Sequence, residues 1–254
     1  MNIPTSHPRY ASLKTRELIE NGVDAGITSP GGLIAHGRGE AFDYLIGEKT
    51  HEFAKNAISA AAALLLLAKH PVISVNGNTA ALVSKEFIRL SRLIDAPLEV
   101  NLFHPSQARL VRIKNHLVRL GAKKVLLPDN NYTLPNLESN RKYIHPEGIA
   151  MADVVFVPLE DGDRTKALIH SGKKVITVDL NPLSRTAQQA TITIVDAISR
   201  ALPVLITTIK QYQKIDEHTL KQFIMEYDNK NNLIAALGRI VQNFQAYKTL
   251  VGTT

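Results

Sequence analysis

No cysteine occurs anywhere in the chain. That absence excludes disulfides, thiolate nucleophiles and cysteine-ligated zinc together, so any covalent step must use another group. No uncharged apolar run reaches the roughly 20 residues needed to span a bilayer. The longest, Ala57 to Ala68, is broken only by Ser59 and reads as a buried helix. The opening Met1-Asn2-Ile3-Pro4 lacks a basic-then-apolar leader, and the expectation is a cytoplasmic protein without membrane attachment. Repeats and low-complexity segments are missing. So are G-x-x-x-x-G-K-S/T, G-x-G-x-x-G, a nucleophile elbow and H-E-x-x-H, which leaves Walker, dinucleotide-fingerprint and hydrolase readings without a motif.

What remains is ordinary globular composition, 44% hydrophobic and 21% charged over 254 residues, enough for a sizeable core in one α/β domain. The formal net charge of +7 sets up a positive field that concentrates anionic partners such as nucleotides, phosphorylated metabolites or nucleic acids. Solubility alone is the other explanation of that charge.

Periodicity predicts a helix over Ser6 to Asn21, stopped by Gly22 and Gly26, and a long one capped by Thr50 and ending near Lys69. From Pro71 the texture changes. Strands are expected at Val72–Val75, Leu98–Leu102, Val125–Leu127, Asp153–Val157, Lys174–Val178 and Ile192–Ile194, with helices at Thr79–Asp95, Ser106–Leu120 and Arg164–Ser171 between them. Such alternation indicates right-handed parallel βαβ units. The fold class is therefore α/β, a Rossmann-like parallel sheet over 71–195 with helices on both faces. A helical, glycine-rich segment at 1–70 precedes it, and C-terminal helices at 196–254 follow in the same single domain. Pro128 to Glu147 is a long loop or excursion. The tail should hold helices at Asp196–Tyr212 and Asp216–Tyr227, a polar hinge at Asn229–Asn232, and a last helix striped by Leu233, Ile234, Leu237, Ile240, Val241 and Phe244. That stripe packs on its own sheet or on a second subunit.

Gly31 to Asp43 crowds glycines, a histidine, an arginine and two acids into one segment, and reads as turn-rich. It is an anion site of unknown type, or a connecting loop whose glycines serve positive φ. The loops after the expected strands are polar: Asn76-Gly77-Asn78-Thr79, His104, Glu160 to Thr165, and Asp179 to Thr186. Ligands of an open parallel sheet bind outside the carboxyl ends of its strands, so these loops should line one cleft. Each also has a local reading, as a turn or a helix cap. Arg16, Arg38, Arg164 and Arg185 stand beside glycines, turns or helix starts, where guanidiniums hold a polyphosphate without a Walker loop. Glu160, Asp161 and Asp163 are candidates for magnesium, though acids in a polar loop are commonly just solvated. His36 is a candidate proton shuttle, a donor to an anionic oxygen, or a structural histidine. Arg109, Arg112, Lys114 and Arg119, then Lys123 and Lys124, make a basic face without aromatic interleaving, which argues for solvated surface over nucleic-acid binding.

With these residues assembled, the chain closely resembles the archaeal phosphopantothenate synthetase family, also called 4-phosphopantoate–β-alanine ligase. The likeness rests on Ile3-Pro4 with Ser6-His7-Pro8-Arg9-Tyr10, Gly32 to Leu45, Pro71 to Asn78, Val157 to Thr165, Asp179 to Arg185, Thr193 to Asp196 and Glu226 to Asn229. The resemblance implies a homodimeric, ATP-dependent, amide-forming ligase of coenzyme A biosynthesis that yields 4'-phosphopantothenate, AMP and diphosphate through an acyl-adenylate. It implies ATP contacts at Arg16, Arg38, Asp179, Leu180, Asn181, Arg185, Thr186, Asp196, Ala197 and Ile198. Ala197 departs from the asparagine associated with the family, so the contact implied there is one a backbone can make. Asn76, Asn78, Asp161, Asp163 and Arg164 would bind phosphopantoate, β-alanine or magnesium, and the chemistry would rest on Arg38, His36 and Arg164. Two rivals stand beside this reading: a nicotinamide-dependent oxidoreductase on a similar sheet, and a non-catalytic nucleotide or nucleic-acid binder.

Overall fold

A computed structural model describes residues 4–7, 9–103 and 105–251, with side chains up to 249. Ile3, Pro8 and His104, which the sequence reading names, lie outside the described residues.

Six strands form one sheet in the order β3-β2-β1-β6-β7-β8: Val125–Leu126, Leu98–Val100, Pro71–Val75, Val154–Phe156, Lys174–Val178 and Ile192–Ile194. Every pairing in it is parallel. Strands buried on both faces need apolar residues at nearly every position, which is why they read as short continuous runs. Alternate residues then feed opposite layers. Ile73, Val154, Phe156, Ile176 and Val178 join the larger core, and Val72, Val155, Val157 and Val175 the smaller. The larger core takes α3 (Glu52–Leu67), α4 (Gly77–Leu93) and α8 (Ile198–Tyr212), and the smaller takes α6 (Gly162–His170). Among the described residues no helix is long and apolar enough to cross a membrane.

Three expectations about the segments flanking the sheet are corrected. Gly31 to Asp43 is no turn but the body of α2 (Pro30–Ile46), which follows α1 (Tyr10–Asp24). Ser29 caps it by accepting from the Gly32 N–H, Pro30 stands in its first turn, and Gly47, at φ 109°, takes the left-handed conformation that ends it, followed by Glu48 at φ 46°. Gly32 is required by contact instead, because a Cβ there would strike Asn78 Oδ1 and Thr28 Oγ1. The polar hinge at Asn229–Asn232 is the first turn of α10 (Asn229–Val251), which follows α9 (Glu217–Met225). Asn229 accepts from the Thr193 N–H at 2.8 Å and Asn232 donates to Thr193 O at 3.1 Å, so these amides hold the tail against β8. Thr50 does not cap α3 either, for its hydroxyl donates to Asp196 at 2.6 Å.

The excursion after β3 carries an antiparallel pair, β4 (Asp129–Thr133) with β5 (Tyr143–Ile144), and returns through a turn at 146–150. The buried Glu99 of β2 pins that return by accepting from His145 N at 3.1 Å and Ile149 N at 2.6 Å. Burial pushes the Glu99 carboxyl up to about 7, against the pull of those N–H groups, Arg164 and Lys173. A carboxyl raised on folding favours the folded state fully below its unfolded value and loses that advantage as pH rises through about 7. Thermal melts at pH 5 and 8 should therefore show the parent losing about 2 kcal/mol relative to Glu99→Gln, which has no proton to release. Parallel melting curves would remove Glu99 from the pH response.

Candidate active site

The strand order reverses direction of growth between β1 and β6, and loops diverge there at the carboxyl edge. The turn from β1 into α4 is where a dinucleotide-binding sheet seats its pyrophosphate. In this chain the protein itself fills it. Arg109 donates to Ile27 O at 2.9 Å, Asn78 Nδ2 donates to Gly32 O at 2.8 Å, and Thr28 Oγ1 donates to Asn78 Oδ1. A Cβ on Gly77 would strike Arg109 and Ile27 O, so only glycine allows this close approach. Arg112 likewise reaches Gly26 O, so two members of the basic face of α5 (Gln107–Arg119) secure the 26–28 connection.

Beside that turn α2 lies over two adjoining clefts. The larger, about 510 Å³, brings Arg38, Asn78 and Asp161 together with Asp179, Leu180, Asn181, Arg185 and Thr186. The smaller, about 190 Å³, contains Asp196, Ala197 and Ile198 with Glu40, Asp43 and Arg200. His36, Leu159 and Leu180 belong to both walls. Arg16 lines neither, but its Nε donates to Glu40 at 3.0 Å from α1. Asp179 shapes its own loop by accepting from Asn181 N at 2.9 Å and Ser184 Oγ at 2.5 Å, and burial pushes its carboxyl up. Arg38 is exposed and makes no hydrogen bond among the described residues.

The 157–163 loop, which contributes Leu159 to the wall between the clefts, is strongly held. Leu159 sits at φ 55°, a costly left-handed position for a branched side chain. Asn76 Nδ2 donates to Pro158 O at 3.1 Å and Leu159 O at 3.0 Å, and the Leu159 N–H donates to Val178 O at 3.1 Å. Arg164, read as a substrate or catalytic group, is fully buried and faces the interior, donating to Ser74 Oγ at 3.1 Å and to Glu160 at 2.5 Å. On the other side Glu160 meets Arg141, whose guanidinium also reaches Asp161 and Asn101 Oδ1 at 3.0 Å each. Burial pushes the Asp161 carboxyl up, yet Arg141 and the Arg164 N–H together pull it below its ordinary value. Asp161 Oδ1 caps α6, and Asp163 pairs with Arg185 at 2.5 Å on the exposed rim.

A profile of the family described as phosphopantothenate/pantothenate synthetase matches residues 53–243. The chain belongs to that family. It is 52% identical over 234 residues to the 4-phosphopantoate–β-alanine ligase of Thermococcus kodakarensis, spanning 92% of this chain and 90% of the relative. The protein of that name from Methanosarcina mazei is 47% identical over 253 residues, 100% of this chain and 98% of the relative, and that from Methanospirillum hungatei is 54% identical over 200, 79% and 82%.

For a synthetase of this family the acids expected to hold magnesium do not fit that task. Glu160 is shared by two guanidiniums, Asp161 is a helix cap paired with Arg141, and Asp163 is paired with Arg185. Among the described residues no group of three or more His, Asp or Glu gathers as a protein-held metal needs. Sequence reasoning missed three members of the site: Arg141, Arg200 and the strained Leu159. Arg200 clamps α8 to α2, donating to Asp43 at 2.5 Å and to Asp196 at 2.9 Å. Its spacing of four from Asp196, which the sequence reading put in the same helix and which lies just before α8, was the available signal, and for Arg141 it was the length of the excursion.

Proposed function

We propose that this chain joins 4-phosphopantoate to β-alanine at the expense of ATP, releasing AMP and diphosphate on the route to coenzyme A. The observation that carries this reading is family membership along most of the chain, joined to a cleft where Arg38, Asp179-Leu180-Asn181 and Arg185-Thr186 converge. ATP lies along the two clefts, its phosphates near Arg38 and Arg185 and its nucleoside toward Asp196-Ala197-Ile198. Arg16 supports the nucleoside end through Glu40, and Ala197 contributes backbone only.

The pantoate carboxylate attacks the α-phosphorus, a P–O bond to diphosphate breaks, and an acyl-adenylate forms. The amine of β-alanine then displaces AMP. Neither step needs an enzyme nucleophile, because positioning and charge stabilisation lower both barriers. Asn78 and Asp161 stand where phosphopantoate enters the larger cleft, with Asp163 on its rim. Asn76 and Arg164 act from behind the wall as positioning residues. Magnesium arrives with ATP, held by phosphate oxygens and water. These soluble phosphorylated substrates place the reaction in the cytoplasm.

Supplying ATP and phosphopantoate without β-alanine is the decisive experiment. Diphosphate at enzyme stoichiometry, followed by AMP and amide once β-alanine is added, is the expected result. Release of γ-phosphate would replace the adenylate with an acyl phosphate. ATP binding without turnover would turn the protein into a nucleotide binder, and preference for NAD would restore the oxidoreductase.

A homodimer is the matching assembly. On α10, Ile234, Val241, Phe244 and Tyr247 are all more than half exposed, and Tyr44 and Leu45 of the adjacent α2 extend the apolar surface. Light scattering should report twice the chain mass, reduced to the monomer by Phe244→Glu; a parent already monomeric excludes the assembly.

A further inference from the structure

From the position of His36 we infer that it is the base that takes a proton from the β-alanine ammonium in the second half-reaction. This inference rests on the ligase reading and assigns one proton transfer within it. ATP contacts are divided between two clefts, so the nucleotide must cross the wall they share, which holds His36, Leu159 and Leu180. The junction of nucleoside and polyphosphate is the α-phosphate, the group that carries the acyl moiety in the adenylate. His36 is therefore beside the reacting carbonyl.

Its chemical state suits the task. Neither ring nitrogen hydrogen-bonds to a described residue, and Nε2 is shielded from solvent without a partner, an arrangement that costs free energy unless a ligand supplies the missing bond. Burial lowers the imidazole pKa and Arg16 of α1 lowers it further, outweighing Glu40 one turn along α2. The other charged groups lining the two clefts are Arg9 before α1, Arg38 and Asp43 of α2 with Glu48 just past it, Glu160 and Asp161 after β6, Asp179 and Arg185 after β7, and Asp196 with Arg200 at the start of α8. Neutral at physiological pH, the ring is ready to accept a proton.

β-Alanine reaches the site as an ammonium and has no lone pair to attack with. One N–H bond breaks and its proton moves to His36. The freed pair forms the C–N bond, and the acyl carbon's bond to the AMP phosphate breaks with its electrons leaving on AMP. The second amine proton departs to the AMP phosphate or to water, and His36 returns its proton to solvent.

Hydroxylamine, an amine already unprotonated at neutral pH, separates this role from a structural one. In His36→Gln and His36→Ala, amide formation with β-alanine should fall about 10²- to 10⁴-fold. Diphosphate formation from phosphopantoate and ATP, and hydroxamate formation on adding hydroxylamine, should fall far less than amide formation does. The amide deficit should also shrink as pH rises toward the amine's own pKa of about 10. Amide and hydroxamate falling together would overturn the assignment, as would a deficit independent of pH or full amide formation in both variants. A parent that yields no AMP with all three substrates defeats the ligase reading instead, a result separable from any of these.

Discussion

Arg38→Ala should lose about 10²- to 10³-fold in kcat/KM for ATP while melting at the parent's temperature. Both halves of that result follow from where the side chain is. Arg38 projects from α2 at the larger cleft, exposed and without a hydrogen bond among the described residues, so folding takes nothing from it. Its charge acts on the buried carboxyl of Asp179. A guanidinium left uncommitted beside the 179–186 loop is available to meet charge as it develops on a phosphate. Arg38→Lys should recover part of the loss, because it keeps the charge and gives up the fork. Steady-state kinetics with varied ATP and a thermal melt check both. A loss below tenfold, or a loss that comes with a lowered Tm, would show that Arg38 does something other than hold phosphate.

Glu160→Ala should destabilise the chain by about 3–5 kcal/mol, the range for stranding buried charge. Its carboxylate is fully buried between Arg141 and Arg164, whose side chains are 5% and 0% exposed. Removing it strands both guanidiniums, and at about 2–4 °C per kcal/mol for a chain of this size the Tm should drop roughly 10 °C. The double variant Glu160→Leu with Arg164→Met should melt above the single one, since it removes the stranded charge of Arg164 and leaves Arg141 with Asp161 and Asn101. Additive losses in the double variant would mean that shape at this site matters more than charge. Activity should fall in the single variant as well. The network holds the 157–163 loop, where Leu159 keeps a left-handed backbone that surrounding bonds must enforce.

The alternation of strands and helices from Pro71 to Ile194 was legible in the chain, because a period of two or of 3.6 is a local property of neighbouring residues. So was the polar character of the carboxyl edge. Asp179, Asn181, Arg185 and Thr186 do meet on one cleft, as the rule for open parallel sheets requires. Local propensity misled at Gly31 to Asp43. Glycine disfavours a helix interior by about 1 kcal/mol each relative to alanine, yet Ser29, Pro30 and packing against α1, α4 and α10 make this segment helical.

Residue identity specified a basic, cysteine-free α/β chain with arginines and acids gathered after its strands. Which arginine met which acid was settled by the fold. Arg164, placed by sequence at a substrate, is buried under Glu160; Arg141, from an excursion 19 residues earlier, completes that pair; and Arg200 reaches Asp43 across 157 residues. A guanidinium spans a few ångströms, so its partner depends on which backbone segments are brought side by side. Strand order and helix packing set that, and neither is a property of any short stretch of chain.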